Sequence, residues 1–134
     1  AYVGARPPIL RGSLRRTLTL GVDPRPATKE LTRAARAFGL SHMLSRIGGV
    51  RGRVESPDAL SEGETVRIAL ARAALSSPEL LVIDNAALRA DPDVMMLLSL
   101  LRETVPATMV IVGEPPMPGA VHVALDQAAH ERCV

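Results

Sequence analysis

Residues 60–85 read LSEGETVRIALARAALSSPELLVIDN, and this stretch decides the fold. Ser61 is a natural helix cap, and Glu64, three residues on, is placed to reach back to the Ser61 amide, the spacing of a reciprocal capping box. From Val66 onward Ile68, Leu70, Ala71, Ala74 and Leu75 keep a helical spacing, with Arg67 and Arg72 on the wetter side. Ser76, Ser77 and Pro78 break the helix. Residues 80–83 then form an unbroken apolar run ending in Asp84 and Asn85, the pattern of a strand buried on both faces with polar residues at its carboxyl end. In open parallel α/β sheets, ligands gather at such ends.

The composition sets bounds around this stretch. A chain of 134 residues has room for one domain with a modest core, and with only Tyr2 and Phe38 aromatic that core must be aliphatic. Lys29 is the only lysine among 16 basic side chains, yet 14 acids leave a net charge of +2 and no long basic run. Without a basic stripe or aromatic platforms for base stacking, nucleic acid is not an expected partner. Cys133 is alone, so no internal disulfide forms and a reducing compartment fits. No apolar run approaches the roughly 18 residues that span a bilayer, and the amino terminus lacks a signal-peptide core. The sequence thus reads as a soluble chain that reaches a membrane only through a partner or another segment.

Outward from the central stretch, residues 1–4 read as the end of a strand, and Pro7 and Pro8 impose an extended loop. Gly12 and Ser13 precede a short helix, LRRTLTL, closed by Gly21. Residues 23–39 carry an amphipathic helix with Leu31, Ala34, Ala35 and Phe38 inward. Another short helix at 41–47 stops at Gly48 and Gly49; His42 and Met43 within it read as surface or packing residues, since no second ligand stands at metal spacing. Asp91 and Pro92 are a good helix start, and Val94, Leu97, Leu98 and Leu101 give that helix, to Thr104, an apolar face. Residues 108–112 are a second buried strand, 115–118 a proline-rich turn and 121–125 a third, shorter strand. Two strands bracketing a helix of this length predict a right-handed βαβ crossover in a parallel sheet. His122, His130 and Cys133 read as surface or tail residues.

The central stretch resembles the nucleotide-binding domain of ABC transporters, of exporter type. LSEGE at 60–64 stands where that family has its LSGGQ signature, RIALARA at 67–73 matches the helix that follows, and LLVIDN at 80–85 matches the Walker B strand. Residues 2–21 are similar to the Q-loop region, with the family's Gln falling on Ala5, and residues 86–91 occupy the place of the D-loop. Glu55 matches the acidic position of the loop before the signature, where Pro57 replaces a glycine. The resemblance implies an α/β fold: part of a P-loop NTPase (RecA-like) parallel sheet with helices, plus the family's helical subdomain. As one incomplete domain over 1–134, it divides into a Q-loop region at 1–11, the helical subdomain and signature helix at 12–76, and the carboxyl-terminal part of the RecA-like core at 77–134.

ATP hydrolysis in P-loop proteins needs a glycine-rich loop with a Lys and a Ser or Thr, and no GxxxxGK[ST] occurs here. The expectation is that this phosphate-binding half lies upstream of Ala1. The resemblance places Ser61, Gly63, Glu64, Asp84 and Asp91 at cofactor-binding positions, with Asp84 a vestigial magnesium position. Five positions act against hydrolysis. Ala5 loses the glutamine oxygen, Asn85 cannot accept a proton where the general base belongs, and Glu114 brings negative charge where a switch histidine belongs. Glu62 and Glu64 add acids to the signature, repulsive to phosphate unless a cation intervenes. Each residue also has a plainer reading: Ser61 with Glu64 as a capping box alone, Asp84 as a turn cap, Asp91 as a helix cap.

The function implied is that of an ABC transporter ATP-binding domain fragment, inactive alone. It would pair with a second nucleotide-binding domain or a same-chain upstream half, and with a transmembrane domain, on the cytoplasmic face of a membrane. ATP and magnesium would be shared with that partner domain, the isolated chain holding neither. The alternative is a non-enzymatic protein interaction or regulatory module derived from such a domain. Strands that the family covers would leave an apolar edge exposed, so the isolated chain is expected to form a homo-oligomer or swapped dimer, or to be held by another chain.

Overall fold

The strand at residues 80–84 is the middle of a three-stranded parallel sheet in the computed structural model, which describes residues 1–4, 6–84, 91–113 and 121. In chain order the elements are β1 (Tyr2–Val3), β2 (Gly12–Ser13), α1 (Leu14–Leu18), α2 (Thr28–Ala37), α3 (Ser41–Ile47) and β3 (Arg53–Val54). A 3-10 turn (Pro57–Ala59), α4 (Glu62–Ser76), β4 (Leu80–Asp84), α5 (Val94–Thr104) and β5 (Thr108–Val112) follow. The sheet order is β1-β4-β5, with Tyr2 opposite Val82 and Leu81 opposite Met109. The β4-α5-β5 unit is thus the parallel crossover that the sequence predicts.

Only one face of this sheet is covered among the described residues, which corrects the expectation of strands buried on both sides. Leu81 and Ile83 are fully buried, and Met109 and Ile111 of β5 share their face and pack on the core. On the opposite face Leu80, Val110 and Val112 are 49%, 43% and 53% exposed. An unbroken apolar run says that both faces tolerate burial; what covers them is decided by the helices, and α4 and α5 pack on one side.

Helix α4 is the hub, in contact with α1, α2, α5 and β1. Packing on several sides explains why its buried set, Val66, Ile68, Ala69, Leu70, Ala71 and Ala73, exceeds a single stripe. It also overturns the wetter side expected for the two arginines. Arg72 is half-buried and donates to the Pro8 carbonyl at 3.0 Å, and Arg67 is tied into an ion-pair cluster. Helix α5 buries Val94, Leu97, Leu98 and Leu101 as expected, while its first residue is Val94 rather than Asp91 or Pro92.

Two other boundaries differ for physical reasons. Helix α2 begins at Thr28, four residues after Pro24, because Pro24 and Pro26 keep their preceding residues out of the helical region. The Ala27 N–H donates to Glu30 Oε2 at 2.7 Å and closes that helix start. Helix α1 ends at Leu18, with Gly21 in the turn beyond at φ +72°. Gly12 and Ser13, expected only as a lead-in, form β2, antiparallel to β3. This ribbon carries the start of α1: the Leu14 and Arg15 amides donate to the carbonyls of Gly52 and Val50 at 3.0 and 2.7 Å. The loop that supplies these carbonyls requires glycine at 52, where a Cβ would meet the Ile47 carbonyl oxygen. Nearby Thr17, fully buried, satisfies its hydroxyl on the Leu10 amide at 3.0 Å.

Ala5, Asn85 and Glu114 lie outside the described residues, as do His122, His130, Cys133, the turn at 115–118, residues 86–90 and all but Val121 of the strand expected at 121–125. Among the described residues, no helix is long and apolar enough to cross a membrane.

Candidate functional site

The start of α4 has the reciprocal cap that the sequence spacing dictates. The Glu64 N–H donates to Ser61 Oγ at 3.1 Å and the Ser61 N–H donates to Glu64 Oε2 at 3.0 Å, satisfying two amides that a helix start otherwise leaves open. Glu62 and Glu64 in the first turn also complement the positive end of the helix dipole. Replacing Ser61 with alanine removes one half of this cap and is expected to cost about 1 kcal/mol, read as a lower urea midpoint with an unchanged slope.

A groove of about 570 Å³ opens in front of this turn, between the α2–α3 corner, the first turn of α4 and the segment before α5. Ser61, Gly63, Glu64 and Asp91 all line it, so the fold brings together four of the five cofactor-binding positions that the resemblance implies. Asp84, the fifth, stands apart at the end of β4, where its Oδ2 accepts the Tyr2 hydroxyl at 3.3 Å.

Asp91 is buried to 4% exposure and Arg67 grips it from α4, Nε to Oδ2 at 2.5 Å and NH2 to Oδ1 at 2.9 Å. Its Oδ1 also accepts the Asp93 N–H at 2.8 Å, closing a turn just ahead of α5; the cap position of that helix is Asp93, so Asp91 is not the helix cap that the plainer reading expects. The hydrogen bonds from Arg67 hold the Asp91 carboxyl below the ordinary carboxylate range, and the same bonds raise the Arg67 guanidinium. Arg67 NH2 also reaches Asp93 Oδ2 at 2.9 Å, and its NH1 donates to the Gly39 carbonyl at 3.3 Å. Gly39 takes φ +75° just beyond α2, and a Cβ there would collide with the guanidinium. One side chain therefore ties the central helix to the corner after α2 and to the approach to α5.

The two acids of the signature-like turn are not equivalent. Glu64 Oε1 meets the Arg46 guanidinium of α3 at 2.8 Å, so a cation does intervene at this acid, whereas Glu62 is exposed in the groove lining. Sequence reading missed Arg67, Arg46 and Gly39 as parts of the site. Arg67 and Asp91 are 24 residues apart, and nothing local in the sequence marks that pairing.

A divalent cation is tested by the donor set. Among the described residues no group of three His, Cys, Asp or Glu is placed to hold a metal. Magnesium commonly uses one or two carboxylates, with water and substrate phosphates completing its shell. A carboxylate at a strand end, as at Asp84, fits that mode.

No family model matches the chain. In sequence it is similar to the ABC transporter ATP-binding protein RamB of Streptomyces coelicolor, 45% identical over 73 residues, which are 54% of this chain and 12% of that protein. It is similar to the methionine import ATP-binding protein MetN 1 of Enterococcus faecalis, 31% identical over 101 residues, covering 72% of this chain and 28% of that one. The molybdenum import ATP-binding protein ModC of Pseudomonas syringae is 38% identical over 76 residues, 54% of this chain and 18% of its own. In fold the chain matches a bacterial Atm1-family ABC exporter with ATP bound, at a TM-score of 0.68 and 23% identity, over 83% of this chain and 20% of that one. The chain thus spans between about an eighth and about a quarter of these curated relatives.

Proposed function

We propose, for a chain whose relatives in sequence are ABC transporter ATP-binding proteins and whose fold is found in an ABC exporter, that it serves as the signature-bearing part of an ATP-binding domain in ATP-driven transport. The observation that carries this reading is the groove at the capped start of α4, where Ser61 and Gly63 stand beside Asp91. In this reading Ser61 and Gly63 face the phosphates of an ATP that is held by a glycine-rich loop from outside these residues, on a partner domain or elsewhere in the same protein. Residues 1–11 act as the Q-loop region, 12–76 as the helical subdomain that docks on a transmembrane domain, and 77–134 as part of the core, at the cytoplasmic face of a membrane.

Magnesium, if bound, would neutralise phosphate charge, and Asp84 is the carboxylate that this chain would offer it. Asp91 positions rather than binds, since its oxygens are engaged by Arg67 and the Asp93 amide. These 134 residues do not hydrolyse ATP by themselves: no GxxxxGK[ST] loop is among them, and Asn85 replaces the general base. Photo-crosslinking with labelled ATP tests this. The 134-residue chain is expected to show no saturable labelling in the micromolar range, and labelling is expected at the α4 turn when a phosphate-binding domain is supplied. Saturable labelling of the isolated chain would contradict the reading.

A second reading, a non-enzymatic interaction module, is favoured by the exposed sheet face at Leu80, Val110 and Val112. On either reading the isolated chain is expected to self-associate through that face. Light scattering that finds a stable monomer at all concentrations would count against it.

A further inference from the structure

Glu64 is an acid where the resemblance expects an amide, and both of its oxygens are engaged. Oε2 accepts the Ser61 N–H at 3.0 Å, and Oε1 meets the Arg46 guanidinium at 2.8 Å. The Glu64 side chain is 19% exposed and that of Arg46 44%; Glu64 lines the groove, and Arg46 meets it from outside that lining. The guanidinium that does line the groove, Arg67, is committed to Asp91 and Asp93. Among the described residues Arg46 is the cation that offsets Glu64, and it comes from a different helix.

We infer that Arg46 is a positioning residue for the nucleotide-facing turn: it holds Glu64 in the capping box and offsets its charge, so that of the turn's two acids only the exposed Glu62 opposes the phosphates of a nucleoside triphosphate. The inference rests on the reading of α4 given above. Without Arg46, the Glu64 carboxylate would face the groove with the Ser61 N–H as its remaining partner and no cation to offset its charge. Like charges in a partly shielded groove repel by an amount that depends on the local dielectric, and a weakening of binding by about five- to tenfold is expected.

The test uses the full-length protein that carries these residues, with its pairing domain and Mg-ATP, and reads the ATP concentration for half-maximal association of the two domains. Arg46→Ala is expected to raise it about five- to tenfold, and Arg46→Lys, which keeps the charge, to leave it within about twofold. The decisive variant is Arg46→Ala with Glu64→Gln, which removes the acid while glutamine preserves the cap, and which is expected to return to within about twofold of wild type. A double variant as weak as Arg46→Ala would make Arg46 a packing residue and overturn the inference. So would an Arg46→Ala variant that associates normally. If Arg46→Ala does not fold, Glu64→Gln alone decides: tighter association is expected, and unchanged or weaker association overturns the inference. A wild-type protein that shows no ATP-dependent association would instead overturn the reading of α4, and this inference with it.

Discussion

Replacing Arg67 with methionine is expected to destabilise the fold by about 3–5 kcal/mol, because it leaves a buried carboxylate without its partner. Asp91 is 4% exposed, and two of its hydrogen bonds come from this one guanidinium. The loss is that of an uncompensated charge, not the net worth of the pair. Removing both ends, as in Arg67→Met with Asp91→Leu, is therefore expected to recover a large part of it. With one tyrosine and no tryptophan, urea denaturation followed by circular dichroism is the appropriate measurement. If Arg67→Met costs no more than an exposed pair, under about 1 kcal/mol, the cluster does not hold the molecule together.

The same pair carries a pH signature with a definite sign. The folded-state pKa of Asp91 is depressed, so its contribution is fully present above the ordinary carboxylate value and is lost as pH falls through the depressed one. In Arg67→Met the largest cause of the depression is gone, and burial, which raises the pKa, is opposed only by the hydrogen bond from the Asp93 N–H. The stability gap between wild type and variant is therefore expected to be widest near neutrality and to narrow below about pH 4. A gap independent of pH would show that Asp91 is not the group responsible.

Leu70→Ala is expected to cost about 2–5 kcal/mol, through lost transfer energy and the cavity left behind. Leu70 is fully buried on α4, the helix that touches α1, α2, α5 and β1, so several elements would have to move together to close the space. Leu75, further along the same helix and only partly buried, supplies the control, and Leu75→Ala is expected to cost clearly less. Equal losses at the two positions would mean that α4 is not the centre of the core.

The local chemistry of α4 was readable from the sequence because a capping box is a contact between residues three apart. The helix at 41–47, the apolar face of α5 and the parallel crossover were readable for the same reason, since periodicity and short-range spacing carry them. The covered face of β4 was not, because a run of leucine, valine and isoleucine suits burial on either side and the helices alone decide it. Nor were the partners of Arg67 and Arg46. A long flexible guanidinium on a helix reads as a solvated charge, and only the tertiary arrangement brings Asp91 and Glu64 within its reach. The β2–β3 ribbon was hidden by its length, since two-residue strands leave no alternation to detect.

That ribbon binds the fate of α1 to a loop far along the chain. Five residues are too few for a helix to persist alone in water, and the first two amides of α1 are accepted by Val50 and Gly52. Deuterium uptake at Leu14 and Arg15 should consequently keep pace with uptake around residues 48–54. The short helix and the glycine loop would breathe as one cooperative unit, and neither would fray first.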